Sequence, residues 1–280
     1  MDRRRFLQIL AATVATVGTG DLAAAVPQAR VRRTAMGAMD KVYTFFTDAE
    51  AAFVEAAAAR LIPADTLGPG ALEADVPYFI DQQLAGEYGA GSRFYQPGPY
   101  GDTTGYQGYQ LPLSPRQLYQ IGIAATDRYC VETHGRAFAN LAPEQQDEVL
   151  KGLQGVSGDV SLEEVPGATF FSHLLTDTKD GFFADPAYGG NRDMVGWKLV
   201  GFPGVAASYT EVIGKNQPYD VDPVSMSDVR EARVPTDHHG HPMHRRAETP
   251  RRTTAPEPRA DADKDDVAMN WEANRIIGFM

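Results

Sequence analysis

Thr47-Asp48-Ala49-Glu50-Ala51-Ala52-Phe53-Val54-Glu55-Ala56-Ala57-Ala58-Ala59-Arg60-Leu61-Ile62-Pro63 decides the class of the fold. The Thr47 hydroxyl is placed to cap a first helical turn, and Glu50, three positions on, can reach back to the Thr47 backbone N–H, which makes a capping box. Phe53, Val54, Ala57 and Leu61 then recur at helical spacing until Pro63 stops the pattern. The stretch predicts an α-helix with one apolar face, and the folded chain should begin just before it, near Tyr43.

Downstream the same logic repeats. Tyr78, Phe79, Ile80 and Leu84 follow Pro77, a residue suited to a first helical turn, within an apolar pattern from Val76 to Tyr88. Ser114-Pro115-Arg116-Gln117 is a second capping box with proline at the first helical position, and Leu118, Ile121, Ala125 and Tyr129 form one face of what should be the longest helix, to about Phe138. Pro143 opens another helix, carrying Val149, Leu150 and Leu153 before Gly155, and Phe170, Phe171, Leu174 and Leu175 suggest a further short one. No segment alternates with period two among β-branched residues. The expected fold is mainly α, a single compact helical domain over residues 41–222 with long ordered Gly/Tyr/Pro loops.

Residues 89–112 form the longest of these loops, rich in glycine, proline and tyrosine and almost free of charge. Tyr95, Tyr100, Tyr106 and Tyr109 supply apolar area that a free linker has no use for. Tyrosine gives large contact area at small entropic cost, so these four are candidate partner contacts. The alternative is a loop that covers only its own domain.

The two ends differ from this core. Met1-Asp2-Arg3-Arg4-Arg5-Phe6-Leu7 precedes a mild apolar run from Ile9 to Gly20, and Ala23-Ala24-Ala25 offers a small-residue cleavage site. Arg3, Arg4, Phe6 and Leu7 read as a twin-arginine export signal spanning residues 1–25, followed by a flexible lead over 26–40. The apolar run is too short and too broken to anchor in a membrane. The twin-arginine route carries cargo folded or assembled beforehand, so the chain should either hold a cofactor or escort a partner. Residues 223–280 are rich in Arg, Pro, Asp, Glu and Thr and should form a largely disordered tail, although Trp271, Ile276, Ile277 and Phe279 near its end could dock as a short element.

The net charge of the whole chain is −11. Removal of residues 1–25 takes away three arginines and two aspartates and leaves −12. Nucleic acid is therefore excluded as a partner, and any membrane association should be indirect, through other chains.

Residue sets for chemistry are sparse. A glycine-rich phosphate loop after a strand, a Walker lysine and paired-cysteine metal or haem motifs are all missing from the sequence. His238, His239, His241 and His244 crowd together and are weak candidates for a metal site, lying in the tail without a rigid frame. His134 and His173 lie on or beside helices with no local nucleophile, and read as capping or interface residues rather than catalytic ones. Cys130, the single cysteine, is either buried in the long helix or paired with another chain.

The most distinctive segment is Tyr188-Gly189-Gly190-Asn191-Arg192-Asp193-Met194-Val195-Gly196-Trp197-Lys198-Leu199-Val200-Gly201-Phe202-Pro203-Gly204. Asn191 or Asp193 can cap a short helix through Val200 that Gly201 ends. Asn191, Arg192 and Trp197 are candidate partner contacts, since Arg and Trp are favoured where binding energy concentrates. A buried tryptophan with a structural arginine is the alternative.

With the leader, the helix ending Arg60-Leu61-Ile62-Pro63, Val76-Pro77-Tyr78-Phe79-Ile80-Asp81 and above all Gly189-Gly190-Asn191-Arg192-Asp193, Gly196-Trp197 and Gly201-Phe202-Pro203-Gly204, the chain resembles the gluconate 2-dehydrogenase subunit 3 family over about residues 40–222. The resemblance implies the small subunit of a periplasmic sugar or polyol dehydrogenase peripheral to the inner membrane. It implies no cofactor in this chain, FAD in a glucose-methanol-choline-type flavoprotein large subunit, and haem c in a cytochrome c subunit. It further implies that this chain's signal, read by the twin-arginine translocase, carries the folded flavoprotein across, and that the chain supports maturation and stability as an accessory, chaperone-like subunit. The tail beyond Asp222 and the third arginine after the pair depart from the family pattern. The alternatives are a free periplasmic sugar-binding protein and an independent hydrolase using His134 or His173 with a carboxylate.

Overall fold

The computed structural model describes residues 42–94, 97–100, 109–156, 160, 162–205 and 219–246. The expected export signal with Arg3, Arg4, Phe6 and Leu7, the expected lead to residue 40, Tyr95, Tyr106 and the chain from residue 247 onward lie outside the described residues. The protein is mainly helical. Eight α-helices occur among the described residues: α1 (Asp48–Leu61), α2 (Val76–Ala85), α3 (Glu87–Ala90), α4 (Pro115–His134), α5 (Pro143–Gln154), α6 (Gly167–Phe183), α7 (Val195–Val200) and α8 (Met226–Arg230). Short 3-10 turns lie at Phe138–Asn140, Pro186–Tyr188 and Arg192–Met194, and β pairing among the described residues is limited to isolated bridges. No described helix is long and apolar enough to cross a membrane.

The described residues form two compact units, each assembled from separate segments: those within 42–63 and 77–178, and those within 64–76 and 179–246. Helix α6 runs from the first unit into the second, so no linker composition marks the boundary in the sequence.

The first unit is held by capped helices around aromatic side chains. Thr47 and Glu50 cap α1 reciprocally, with Thr47 N donating to Glu50 Oε2 at 2.9 Å. Gln117 Oε1 receives the Ser114 N–H at 2.9 Å at the start of α4. Phe53 of α1 packs its ring 4.6 Å from Phe138 and 6.1 Å from Phe170 of α6, and Tyr119 of α4 meets Phe170 edge-on at 5.8 Å. All four are fully buried, each contributing roughly 1.5–3 kcal/mol by removal from water. Polar groups drawn into this core are satisfied: Asp127 accepts the Phe138 N–H at 2.9 Å, and Gln146 donates to the Phe138 carbonyl at 3.1 Å.

The root of the unit is pinned by Asp81. Its fully buried carboxylate accepts the backbone N–H groups of Thr44 (2.8 Å), Phe45 (2.9 Å) and Phe46 (2.9 Å) and the Thr44 hydroxyl (3.0 Å). Three successive N–H groups on one carboxylate fix the start of the described chain against α2.

Two helix lengths differ from expectation. Helix α4 ends at His134 rather than Phe138, because Gly135 turns into the left-handed region (φ 74°) and the chain continues into the 3-10 turn at Phe138. Helix α6 is 17 residues long rather than short. Asp177 and Thr178 interrupt its apolar pattern yet are buried, Thr178 by donating its hydroxyl to the Leu174 carbonyl at 2.7 Å.

The second unit extends past the expected boundary at Asp222. Val221 and Val224 are buried, Val205 N donates to the Val224 carbonyl at 2.8 Å and Val224 N to the Pro203 carbonyl at 3.0 Å. Ser225 and Asp228 form a capping box for α8, and Asp185 accepts the Met226 N–H at 2.8 Å. Residues 223–246, expected in the loose tail, are thus part of this unit: a few well-placed valines and caps outweigh a polar composition.

Candidate functional site

The Gly189–Gly204 segment is folded by close backbone approach. A Cβ on Gly190 would lie 2.3 Å from the Gly181 carbonyl oxygen, one on Gly196 2.1 Å from that of Phe182, and one on Gly204 2.1 Å from that of Val224. Only glycine lets these stretches of backbone meet. Asn191, in the left-handed region (φ 45°), spends both ends of its amide internally. Its Nδ2 donates to the Ala184 carbonyl at 2.8 Å and its Oδ1 accepts the Gly196 N–H at 2.8 Å, so Asn191, rather than Asp193, satisfies the start of α7. Trp197 donates Nε1–H to the Phe183 carbonyl at 2.7 Å and packs against the Phe202 ring at 5.2 Å.

Asn191 is 0% and Trp197 6% exposed, so two of the expected partner contacts face the interior of the unit. Their hydrogen-bonding capacity is used, and the structural alternative describes them. Arg192 keeps partial exposure. Its backbone N–H meets the Ala74 carbonyl at 3.1 Å and its guanidinium lies 3.5 Å from Asp75. The residues that do face outward are ones that residue type and spacing did not single out: Leu199 (47% exposed), Val200 (60%) and Phe202 (43%). Their signal was present as three large apolar residues within four positions, at the end of a helix too short to hide them.

In the first unit a second polar node surrounds Asp177. Its buried carboxylate accepts the Tyr119 hydroxyl at 2.7 Å and the Tyr88 hydroxyl at 2.9 Å, and the Tyr88 oxygen lies 3.5 Å from His173 Nδ1. Burial holds the His173 imidazole below its ordinary range. Tyr109 meets that ring edge-on at 5.1 Å and the Phe94 ring at 5.8 Å, so the two ends of the tyrosine-rich loop pack on each other and Tyr109 rests on α6. Tyr109 donates its hydroxyl to the Leu113 carbonyl at 2.8 Å, and burial pushes its pKa up to about 12. Tyr100 stays partly exposed. A buried carboxylate that accepts two tyrosine hydroxyls, with a neutral imidazole beside it, organises the loop base.

Cys130 is completely buried in α4, and burial, with the nearby Asp127 charge, pushes its thiol up to about 12. A protonated, enclosed thiol cannot reach another chain, so of the two readings left open for Cys130 burial is the one this geometry supports. His134 sits in the last turn of α4, where its charge would complement the helix terminus. The four crowded histidines spread along the 237–244 turn. The His238 and His239 rings lie 3.8 Å apart, tilted by 45°, His241 lies 3.3 Å from Asp237, and His244 Nε2 approaches the Val205 carbonyl at 2.9 Å. Among the described residues no group of three or more His, Cys, Asp or Glu is arranged to hold a metal ion.

Fold and site together define a mainly helical protein whose most distinctive residues are spent on its own architecture, with an apolar face left beside them. The family model described as gluconate 2-dehydrogenase subunit 3 matches residues 48–204, more than half of the chain, and the chain belongs to that family. No curated protein and no solved structure matches it.

Proposed function

We propose that this chain is the non-catalytic small subunit of a periplasmic, FAD-dependent sugar or polyol dehydrogenase complex peripheral to the inner membrane. Its flavoprotein large subunit, of the glucose-methanol-choline type, holds the FAD and performs the oxidation, and a cytochrome c subunit receives the electrons. This chain carries the flavoprotein through the twin-arginine translocase on the Arg3-Arg4 signal and supports its maturation and stability. The observation that carries the reading is the family match over residues 48–204. The site chemistry supports it: the matched glycine–tryptophan segment builds a scaffold, and Leu199, Val200 and Phe202 beside it suit contact with another chain. The leader supplies the export route, which is used for cargo folded before translocation.

An independent hydrolase has one observation in its favour, the approach of His173 to Asp177 through the Tyr88 hydroxyl. That carboxylate is enclosed and already accepts two hydroxyls, which suits a structural node better than proton transfer to a substrate.

The test is to express the cognate flavoprotein with the Arg3→Lys, Arg4→Lys chain and to assay flavin-linked dehydrogenase activity in periplasmic and cytoplasmic fractions. Activity should disappear from the periplasm. Unchanged periplasmic activity would remove the escort role.

A further inference from the structure

Leu199, Val200 and Phe202 present an apolar face on the second unit, bordered by the Trp197 ring against Phe202 and by Phe183, whose carbonyl receives the Trp197 N–H and whose side chain is also exposed. Exposed large apolar side chains grouped within a few positions in this way favour a covering partner. The path of the chain says what is near. Residues 203–205 pair with Val224, and Val221 bridges to Arg246, the last described residue. The chain therefore leaves the described fold one short stretch of backbone away from Phe202.

Beyond Arg246 the composition divides sharply. Residues 247–270 hold no aromatic residue and are dominated by Pro, Ala, Thr and charged side chains. Residues 271–280 then bring together Trp271, Ile276, Ile277, Phe279 and Met280. A connection of 24 residues has a root-mean-square span of roughly 25–30 Å if flexible, enough to pass the few paired residues that separate Arg246 from Phe202. Tethering at that range gives an effective concentration on the order of millimolar, so even a weak apolar contact is occupied.

We propose that the C-terminal segment Trp271–Met280 covers the Phe183–Leu199–Val200–Phe202 face of its own chain. The segment shields in cis the apolar surface of the free subunit. This goes beyond membership of a dehydrogenase complex: it describes the free subunit, and a partner chain that takes the same face displaces the segment.

The protein's two tryptophans, Trp197 and Trp271, provide the probes. The chain is labelled with 5-fluorotryptophan and followed by fluorine NMR, with the Trp271 resonance assigned by Trp271→Phe. The expected result is a Trp271 resonance displaced from that of the free peptide 271–280, independent of protein concentration, and returned to the free position by Val200→Lys or Leu199→Lys. The Trp197 resonance stays in its folded position in both variants, which shows that the unit remains intact. A Trp271 resonance coincident with the free peptide and indifferent to these substitutions overturns the proposal. Displacement that appears only with rising protein concentration also overturns it, by assigning the face to a second copy.

Discussion

The two units solve the same problem by different means. In the first, long capped helices bury large side chains such as Phe53, Phe138, Phe170 and Tyr119, and the polar groups among them are paired one by one. In the second, short helices and turns are drawn together by backbone meeting backbone at Gly190, Gly196 and Gly204, with the Asn191 amide as the clasp. A side-chain core adjusts to a lost or altered methylene by repacking, whereas a backbone contact has nothing to move. Sensitivity should therefore be graded by side-chain volume in the first unit, apart from Gly89, whose Cβ would lie 1.9 Å from the Leu84 carbonyl oxygen, and all-or-none at glycines in the second.

The largest effect expected is from Gly196→Ala, whose Cβ would lie 2.1 Å from the Phe182 carbonyl oxygen. It should destabilise the protein by about 3 kcal/mol or more. In the first unit Gly86→Ala meets only ordinary contacts, the nearest at 3.4 Å, and should change stability by less than about 1 kcal/mol. Urea unfolding of the two variants compares them directly, and equal losses would break the distinction between the units.

Next comes a place where the first unit also depends on backbone groups. Asp81→Ala leaves the N–H groups of Thr44, Phe45 and Phe46 without their acceptor and should cost about 3 kcal/mol. Hydrogen exchange at these three amides should accelerate most. A change confined to global stability, with those amides still protected, would mean that the entry of the chain is held by something other than Asp81.

A smaller effect is expected from His173, whose folded-state value is lowered by burial. The unfolded chain takes up a proton below about pH 6.5 while the folded protein stays neutral, so this residue's contribution weakens as pH falls from 6.5 toward the folded value. Thermal melts between pH 7 and pH 5 should show a drop that His173→Gln reduces. An unchanged slope would show that the imidazole is not enclosed.

The smallest effect is at the surface of the first unit, where Arg60 donates Nε–H to Asp147 at 2.7 Å and a second N–H at 2.7 Å, with both side chains about one-third exposed. Hydrogen bonding to Arg60 lowers the Asp147 carboxyl below its usual range. The pair's contribution is thus present above about pH 3.9 and is lost as pH falls through the folded value. Asp147→Asn should cost less than about 1 kcal/mol at neutral pH and nothing in acid.

The same contrast explains what could be read from the sequence. The helices of the first unit announce themselves through Thr47 with Glu50, Ser114 with Gln117, and Pro143 before its apolar stripe, because capping and periodicity are local. Asp81 and Asp177 gave no such sign: a carboxylate buried against backbone amides or tyrosine hydroxyls looks, in one dimension, like any surface acid. The glycine–tryptophan segment was legible as a tight loop, helix and loop, yet the direction in which Asn191 and Trp197 point depends on the Ala184 and Phe183 carbonyls, contributed by a neighbouring helix end. Residues 223–246 were misleading in composition, since Val221, Val224 and the Ser225 cap are too few to register against so many charges.

The accessory-subunit account is tested most directly by purifying the chain alone and together with its co-expressed flavoprotein, and measuring flavin content and dye-linked dehydrogenase activity in each preparation. The account predicts that flavin and turnover appear only in the co-purified complex and that this chain stays bound to the flavoprotein through purification. Sugar or polyol oxidation by the chain alone, or a flavoprotein that folds, is exported and remains active without it, would contradict the account.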